Sequence, residues 1–182
     1  MPFLGIDQSL RGTGLCLLSE AGEVLSLKTV RLGASRGAAR LACIHAAVLA
    51  QLSSVTFVAM EGYSYNSTSR HFDLGEVGGV LKLMLHEREI PFLSVAPCAL
   101  KKYATGNSEA SKEAMMEAAH KHGIDVHDDN QADAFFLADV ARQFSLDLCP
   151  RNRCQLEVLH QLKSPPPPRR RRAVRRTLKN AL

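Results

Sequence analysis

The apolar run Phe3-Leu4-Gly5-Ile6 stops on an acid, Asp7, and no other stretch constrains this chain as strongly. Aspartate is a poor strand former, and an unpaired carboxylate inside a core is very costly. A strand over residues 2–7 therefore ends where its last side chain has a use outside the core. In "GIDQSLRGTG", Gly12, Thr13 and Gly14 turn the chain back into a second strand over residues 13–19, with Ser9 placed to steady the turn through its hydroxyl. "SEAGE" is the next turn and leads into a third strand over residues 23–30, which completes an antiparallel meander.

Two more acids occupy comparable places. Leu41, Ile44, Val48 and Leu52 recur at helical spacing between Ser35 and Leu52, and the β-branched run "SSVTFVAME" predicts a buried strand ending at Met60 and Glu61. If that strand runs parallel beside the first, Asp7 and Glu61 emerge at one carboxyl edge, where open α/β sheets place ligands. "GYSYNSTSRHFD" has no period and reads as a loop. Leu74, Val77, Val80, Leu81, Met84 and Leu85 mark a second long helix, "IPFLSVAP" a strand, and "SKEAMMEAAHKHG" a helix capped by Ser111 and stopped at Gly123. "DDNQADAFFLADVARQF" predicts the last helix of the body. On it Asp129 and Asp133 are four apart and Asn130 and Asp133 three apart, so these side chains share a face while Asp139 points away. Asp128 and Asp129 also suit ordinary N-capping. The expected fold is α/β, a mixed five-stranded sheet flanked by helices on both faces.

Composition narrows the class. A chain of 182 residues with 46% hydrophobic and 23% charged residues suits one domain, and it holds no uninterrupted apolar run long enough for a membrane span. The first residues lack the basic leader of a secretory signal, so the expected compartment is a reducing cytoplasm. The five cysteines are scattered without C-x-x-C spacing, which argues against a disulfide framework or a zinc site and favours Cys16 and Cys43 as small core residues. Residues 150–182 hold ten of the 23 Lys and Arg against one acid, Glu157. The division expected is a domain over 1–148 and a Pro/Arg-rich basic tail over 149–182 without fixed structure, of the kind that attracts a polyanion.

Carboxylates converging from separate elements without Cys or His at metal spacing favour a hard ion such as Mg²⁺ or Mn²⁺. Two such ions, roughly 4 Å apart, fit phosphodiester hydrolysis, because one activates water while the other stabilises the leaving oxygen. A phosphate cannot approach the acids without cations between them.

"GIDQSLRGTG", "AMEGYSY" and "NQADAFFLA", in that order over residues 3–144, resemble the RuvC-type Holliday junction resolvases of the ribonuclease H-like superfamily, closer to the divergent phage-encoded forms than to the chromosomal one. The resemblance implies a ribonuclease H-like fold and an endodeoxyribonuclease that cuts four-way junctions symmetrically with two Mg²⁺ ions, for which Mn²⁺ may substitute. It makes Asp7 the ligand shared between the ions, Glu61 the second acid and Asp133 the last. The fourth acidic position falls on Asn130, which is neutral; either its amide oxygen ligates weakly or Asp129 substitutes. "LKKYATGNSEASKEA" looks like the family's lysine segment, making Lys102 and Lys112 candidates to neutralise charge at the scissile phosphate, with Lys101 and Lys102 as DNA contacts. Tyr63, Tyr65 or Phe72 would stack on unpaired bases, although Phe72 fits core packing better. Paired cuts imply a C2 homodimer, with the glycine-bearing helix from Leu74 to Glu87 as its interface. Arg169, Arg170, Arg171 and Arg172 in the tail have no counterpart in the resemblance and suit non-specific phosphate contact. Three readings stand beside this one: a fork or RNA-hybrid nuclease of the same superfamily, a non-catalytic junction-binding protein, and an actin-like kinase, whose second lobe has no room here.

Overall fold

The computed structural model describes residues 1–62 and 71–164, so Tyr63, Tyr65 and Arg169 to Arg172 lie outside the described residues. The meander comprises β1 (Phe3–Asp7), β2 (Gly12–Leu18) and β3 (Val24–Arg31). Helix α1 (Gly37–Leu49) and a 3-10 turn (Leu52–Ser54) lead to β4 (Phe57–Glu61), followed by α2 (His71–Glu87) and β5 (Phe92–Val95). Four helices complete the body: α3 (Pro97–Thr105), α4 (Lys112–Lys121), α5 (Asp129–Ser145) and α6 (Arg153–Lys163). The sheet has the order β3-β2-β1-β4-β5, antiparallel through the meander and parallel from β1 to β4 to β5. This is the mixed five-stranded α/β sheet expected, and β1 lies at its centre.

Alternation along the strands divides the core. Leu4 and Ile6 of β1, Leu15 of β2 and Val58 and Met60 of β4 face α1 and α2. Phe3, Cys16, Leu18 and Ala59 face the opposite side, where α3, α4, α5 and α6 cover them. The same period of two assigns Asp7 and Glu61 to the α5 side.

Two helices depart from the sequence reading. Helix α3 starts with Pro97 and ends at Gly106, whose φ of 83° is left-handed, yet it buries only Leu100 and Tyr103, too few apolar positions to show a period. Helix α6 falls in the segment expected to be tail. Asn152 caps it, its side chain accepting from the Gln155 amide at 3.0 Å, and Val158 and Leu159 complete the core on the α5 side. Helix α6 therefore packs with the body, within the segment that the expected division at 148 assigned to the tail. Cys16 is buried as expected. Cys43 is exposed, because it sits one residue, about 100° of helix, away from the buried Ile44. Phe72 is 90% exposed, which overturns its core-packing reading.

One buried acid ties this side together. Asp139 on α5, 2% exposed, accepts from the Tyr103 hydroxyl at 2.8 Å and from both terminal guanidinium nitrogens of Arg151 at 2.8 and 3.2 Å. Arg142 adds a third cationic contact at 3.4 Å. The bidentate fork joins α3, α5 and the approach to α6 at one carboxylate. Removing one partner of such a buried pair costs about 3–5 kcal/mol. Asp139→Ala is therefore expected to lower Tm by roughly 10 °C or more in a chain of this size, measured by calorimetry. An unchanged Tm would mean that the tie carries no stability.

Candidate metal centre

Strand register brings the first two acids together. Gly5 pairs with Ala59 and Ile6 with Met60 in the parallel β1–β4 ladder, so Asp7 and Glu61 leave the sheet side by side. The third acid arrives on α5, which crosses β1 and β2 at backbone distance. A Cβ on Gly5 would lie 2.0 Å from the Ala134 carbonyl oxygen, and one on Gly14 would lie 2.1 Å from that of Asn130. Glycine at these positions lets the helix settle onto the strands, and Asp133 comes down beside Asp7. Oxygens of Asp7, Glu61 and Asp133 all lie within 4.8 Å of one another.

Three ionised carboxylates at this separation repel one another by about 3 kcal/mol per pair at an effective dielectric of 20. A protein with a typical total stability of roughly 5–15 kcal/mol does not gain by assembling them. Their protonation reflects the strain. Burial first, then the charge of Asp133, pushes the Glu61 carboxyl up to about 7, against opposing effects of the Asp7 hydrogen bond and Lys101. Burial and the charge of Asp129 push Asp133 up to about 6, with Lys101 and Lys112 opposing. Asp7 is raised well above the carboxylate range by burial and then by Glu61 and Asp133. An all-oxygen donor set of this charge fits a hard divalent cation, which would replace the mutual repulsion with attraction.

Both candidates for a fourth ligand, Asn130 and Asp129, have partners of their own at the cleft. With its amide oriented to suit its neighbours, Asn130 turns its nitrogen inward and donates to Asp7 Oδ2 at 3.0 Å and to the Gly12 carbonyl at 3.1 Å. Both neighbours are acceptors, which is what favours the nitrogen at that end. Asp129 lines the same cleft but is paired with Lys112 and stands outside the three-acid cluster. Asp128 is the N-cap of α5, accepting from the Gln131 amide at 3.0 Å and the Thr29 hydroxyl at 2.8 Å.

The neighbouring lysines part company. Lys101 joins the lining of the cleft, about 480 Å³, together with Lys112 and the acids. Lys102 turns instead to α6, where Glu157 holds its ammonium at 2.7 Å in a partly exposed ion pair outside the lining of the cleft. Consecutive helical residues point about 100° apart, and only one of the two can face the cleft. Gln8, which the sequence reading did not single out, also lines this cleft. It is 5% exposed and its Nε2 donates to the Glu61 carbonyl at 2.6 Å, while its Oε1 has no partner among the described residues. Its only sequence signal was adjacency to Asp7.

A family model described as "Crossover junction endodeoxyribonuclease RuvC" matches residues 3–139. Among solved structures, Thermus thermophilus RuvC is similar at a TM-score of 0.67 and 23% identity, over 81% of this chain and 97% of that one. T. thermophilus RuvC in complex with Holliday junction substrate is similar at a TM-score of 0.65 and 24% identity, over 76% of this chain and 90% of that one. At these identities the likeness establishes the ribonuclease H-like fold. No curated protein matches by sequence.

The raised carboxyl pKa values set a pH dependence. Between the ordinary carboxyl range near 4 and the folded values near 6 and 7, the native state holds more protons than the unfolded chain. Stability contributed by these groups is therefore lost as pH rises through that window, and a cation, which needs the ionised ligands, restores it above the window. A divalent ion at about 100 times its Kd is expected to add about 2.7 kcal/mol at pH 8, raising Tm by roughly 5–10 °C over EDTA, with little effect at pH 5. Thermal melts checking this contradict the metal reading if the gain is equal at both pH values.

Proposed function

Because the chain belongs to the RuvC family of crossover junction endodeoxyribonucleases, we propose that it resolves four-way DNA junctions by paired, symmetric, metal-dependent nicks. The observation that carries this reading is the convergence of Asp7, Glu61 and Asp133 in one cleft. The family is an endodeoxyribonuclease family that depends on divalent metal. In this chain Asp7, Glu61 and Asp133 would hold Mg²⁺, with Mn²⁺ as a substitute. Two such ions would supply an activated water and charge stabilisation at the leaving oxygen.

The chain's own residues do the rest. Asp7 is held at the sheet edge by β1 and by the Asn130 amide, so its carboxylate does not have to be ordered when substrate arrives. Lys101 and Lys112 place positive charge at the cleft, where it offsets the charge that develops on the phosphate. Lys112 is engaged with Asp129 in this state and would exchange that partner for a phosphate oxygen. Exposed Phe72, at the start of α2, is positioned for stacking on an unpaired base; Tyr63 and Tyr65 share that role in the proposal. The arginines from Arg169 to Arg172 would add non-specific phosphate contacts.

A C2 homodimer supplies the second cut. Helix α2 buries Val77, Leu81, Met84 and Leu85 and exposes the stripe Phe72, Gly79 and Leu83, of which Leu83 is 57% exposed. A Cβ on Gly79 would meet nothing within 4 Å, which leaves this stripe open to close approach by a second copy.

Matched four-way, three-way, forked and linear duplex DNAs with Mg²⁺ test the reading. Wild type is expected to place paired nicks across the four-way junction, and Asp7→Asn to lower the rate at least about 100-fold. Preferred cutting of forks would move the assignment within the superfamily, and binding without cutting in Mg²⁺ or Mn²⁺ would leave a junction-binding protein. Leu83→Arg is expected to shift the sedimentation behaviour to monomer and to uncouple the two nicks. Deleting residues 165–182 should weaken junction binding and flatten its salt dependence by about 0.9 per lost phosphate contact in a log–log plot. Affinity unaffected by that deletion would rule out a binding role for the tail.

A further inference from the structure

We propose that Gln8 is the fourth oxygen donor of the metal centre, a role that rests on the metal reading of the cleft. The amide follows Asp7 directly off the end of β1 and lines the same cleft as the three acids. It is 5% exposed, and its orientation is set by its own hydrogen bond, because Nε2 donates to the Glu61 carbonyl at 2.6 Å. Turning the amide over would set oxygen against oxygen. Oε1 is therefore the free end, buried and without a partner among the described residues. Buried acceptors are almost always satisfied, and an orphan on a side chain that lines the three-acid cleft calls for a group that arrives from outside.

The two side chains that the sequence offered for the fourth place have other partners before substrate arrives. Asn130 presents its nitrogen to Asp7, and Asp129 is occupied by Lys112. An amide oxygen is a hard ligand that divalent ions such as Ca²⁺ accept from Asn and Gln side chains. Being neutral, it completes the donor set without adding a fourth like charge to a cluster whose members already lie within 4.8 Å of one another. The hydrogen bond to Glu61 gives the same side chain a second effect, since it ties the end of β4 to the end of β1. Gln8 thus links the two strand termini that carry the first two carboxylates.

The test uses Mn²⁺ as the probe, with free ion read by electron paramagnetic resonance, on the full chain and on Gln8→Met and Gln8→Glu. Melting in EDTA is measured alongside. Methionine is close in size but offers no hard oxygen; glutamate keeps one. Gln8→Met is expected to weaken Mn²⁺ binding about tenfold or more while melting in EDTA close to wild type, because the orphaned acceptor has gone with the lost hydrogen bond. Gln8→Glu keeps a hard oxygen but loses the donor to the Glu61 carbonyl, so it is expected to bind Mn²⁺ more tightly than Gln8→Met while melting lower in EDTA. Equal Mn²⁺ affinity in wild type and Gln8→Met would overturn the proposal while leaving the metal reading intact. Equal losses in both variants, with lower melting in EDTA, would also overturn it, leaving Gln8 as a tie between strands. Wild type that takes up no Mn²⁺ would overturn the metal reading and this role together.

Discussion

Everything at the cleft depends on how closely the α5 backbone lies against β1 and β2. Gly5 and Gly14 have no room for a methyl group, and the atoms in the way belong to the helix backbone, which cannot rotate aside as a flexible side chain can. With the helix at that height, residues 130, 133 and 134 reach the end of β1. Lifted by the thickness of one side chain, α5 would keep its core contacts in outline, but Asp133 would no longer share an ion with Asp7 and Glu61. A packing constraint in the middle of the sheet thus decides the geometry of chemistry at its edge.

The same helix carries two acids whose surroundings state opposite purposes. Asp139 is deeply buried and fully answered, by Tyr103, Arg142 and both forks of Arg151. The Tyr103 hydroxyl is correspondingly hard to ionise, through burial and then the adjacent Asp139 charge. Asp133 sits among other carboxylates, and its partial counter-charge comes from lysines at the cleft. One site has been solved for stability and the other left unsolved until a cation binds. Helical spacing separates them: six residues set the two side chains on different faces, so the charges of the structural tie do not neutralise those of the candidate metal centre.

Much of this was legible from the chain because strands have a period of two and helices one near 3.6. An apolar run ending in an acid places that acid at a strand terminus, and Asp7 and Glu61 each end a strand as their runs required. Ser111 before an acidic first turn announced α4, and Asp128 announced α5. Helices α3 and α6 were missed for different reasons: α3 buries only Leu100 and Tyr103, whereas α6 carries a helical stripe of Gln155, Val158, Leu159 and Leu162 inside a segment whose basic, Pro-rich composition read as tail. Lys101 and Lys102 were interchangeable as a sequence pair, and only the rotation of α3 separates the one at the cleft from the one on Glu157.

The sequence by itself determined the class of fold, the three acids and the residue types that suit a hard divalent ion, because these follow from local periodicity and from the cost of stranding a carboxylate in a core. The tertiary structure alone decided what the amides do. Asn130 occupies a ligand position in the motif, yet it meets two acceptors and becomes a donor. Gln8 has no motif position, yet it is held by the Glu61 carbonyl with its oxygen left over. An amide offers a donor at one end and an acceptor at the other, and which end is used depends on neighbours brought from distant parts of the chain.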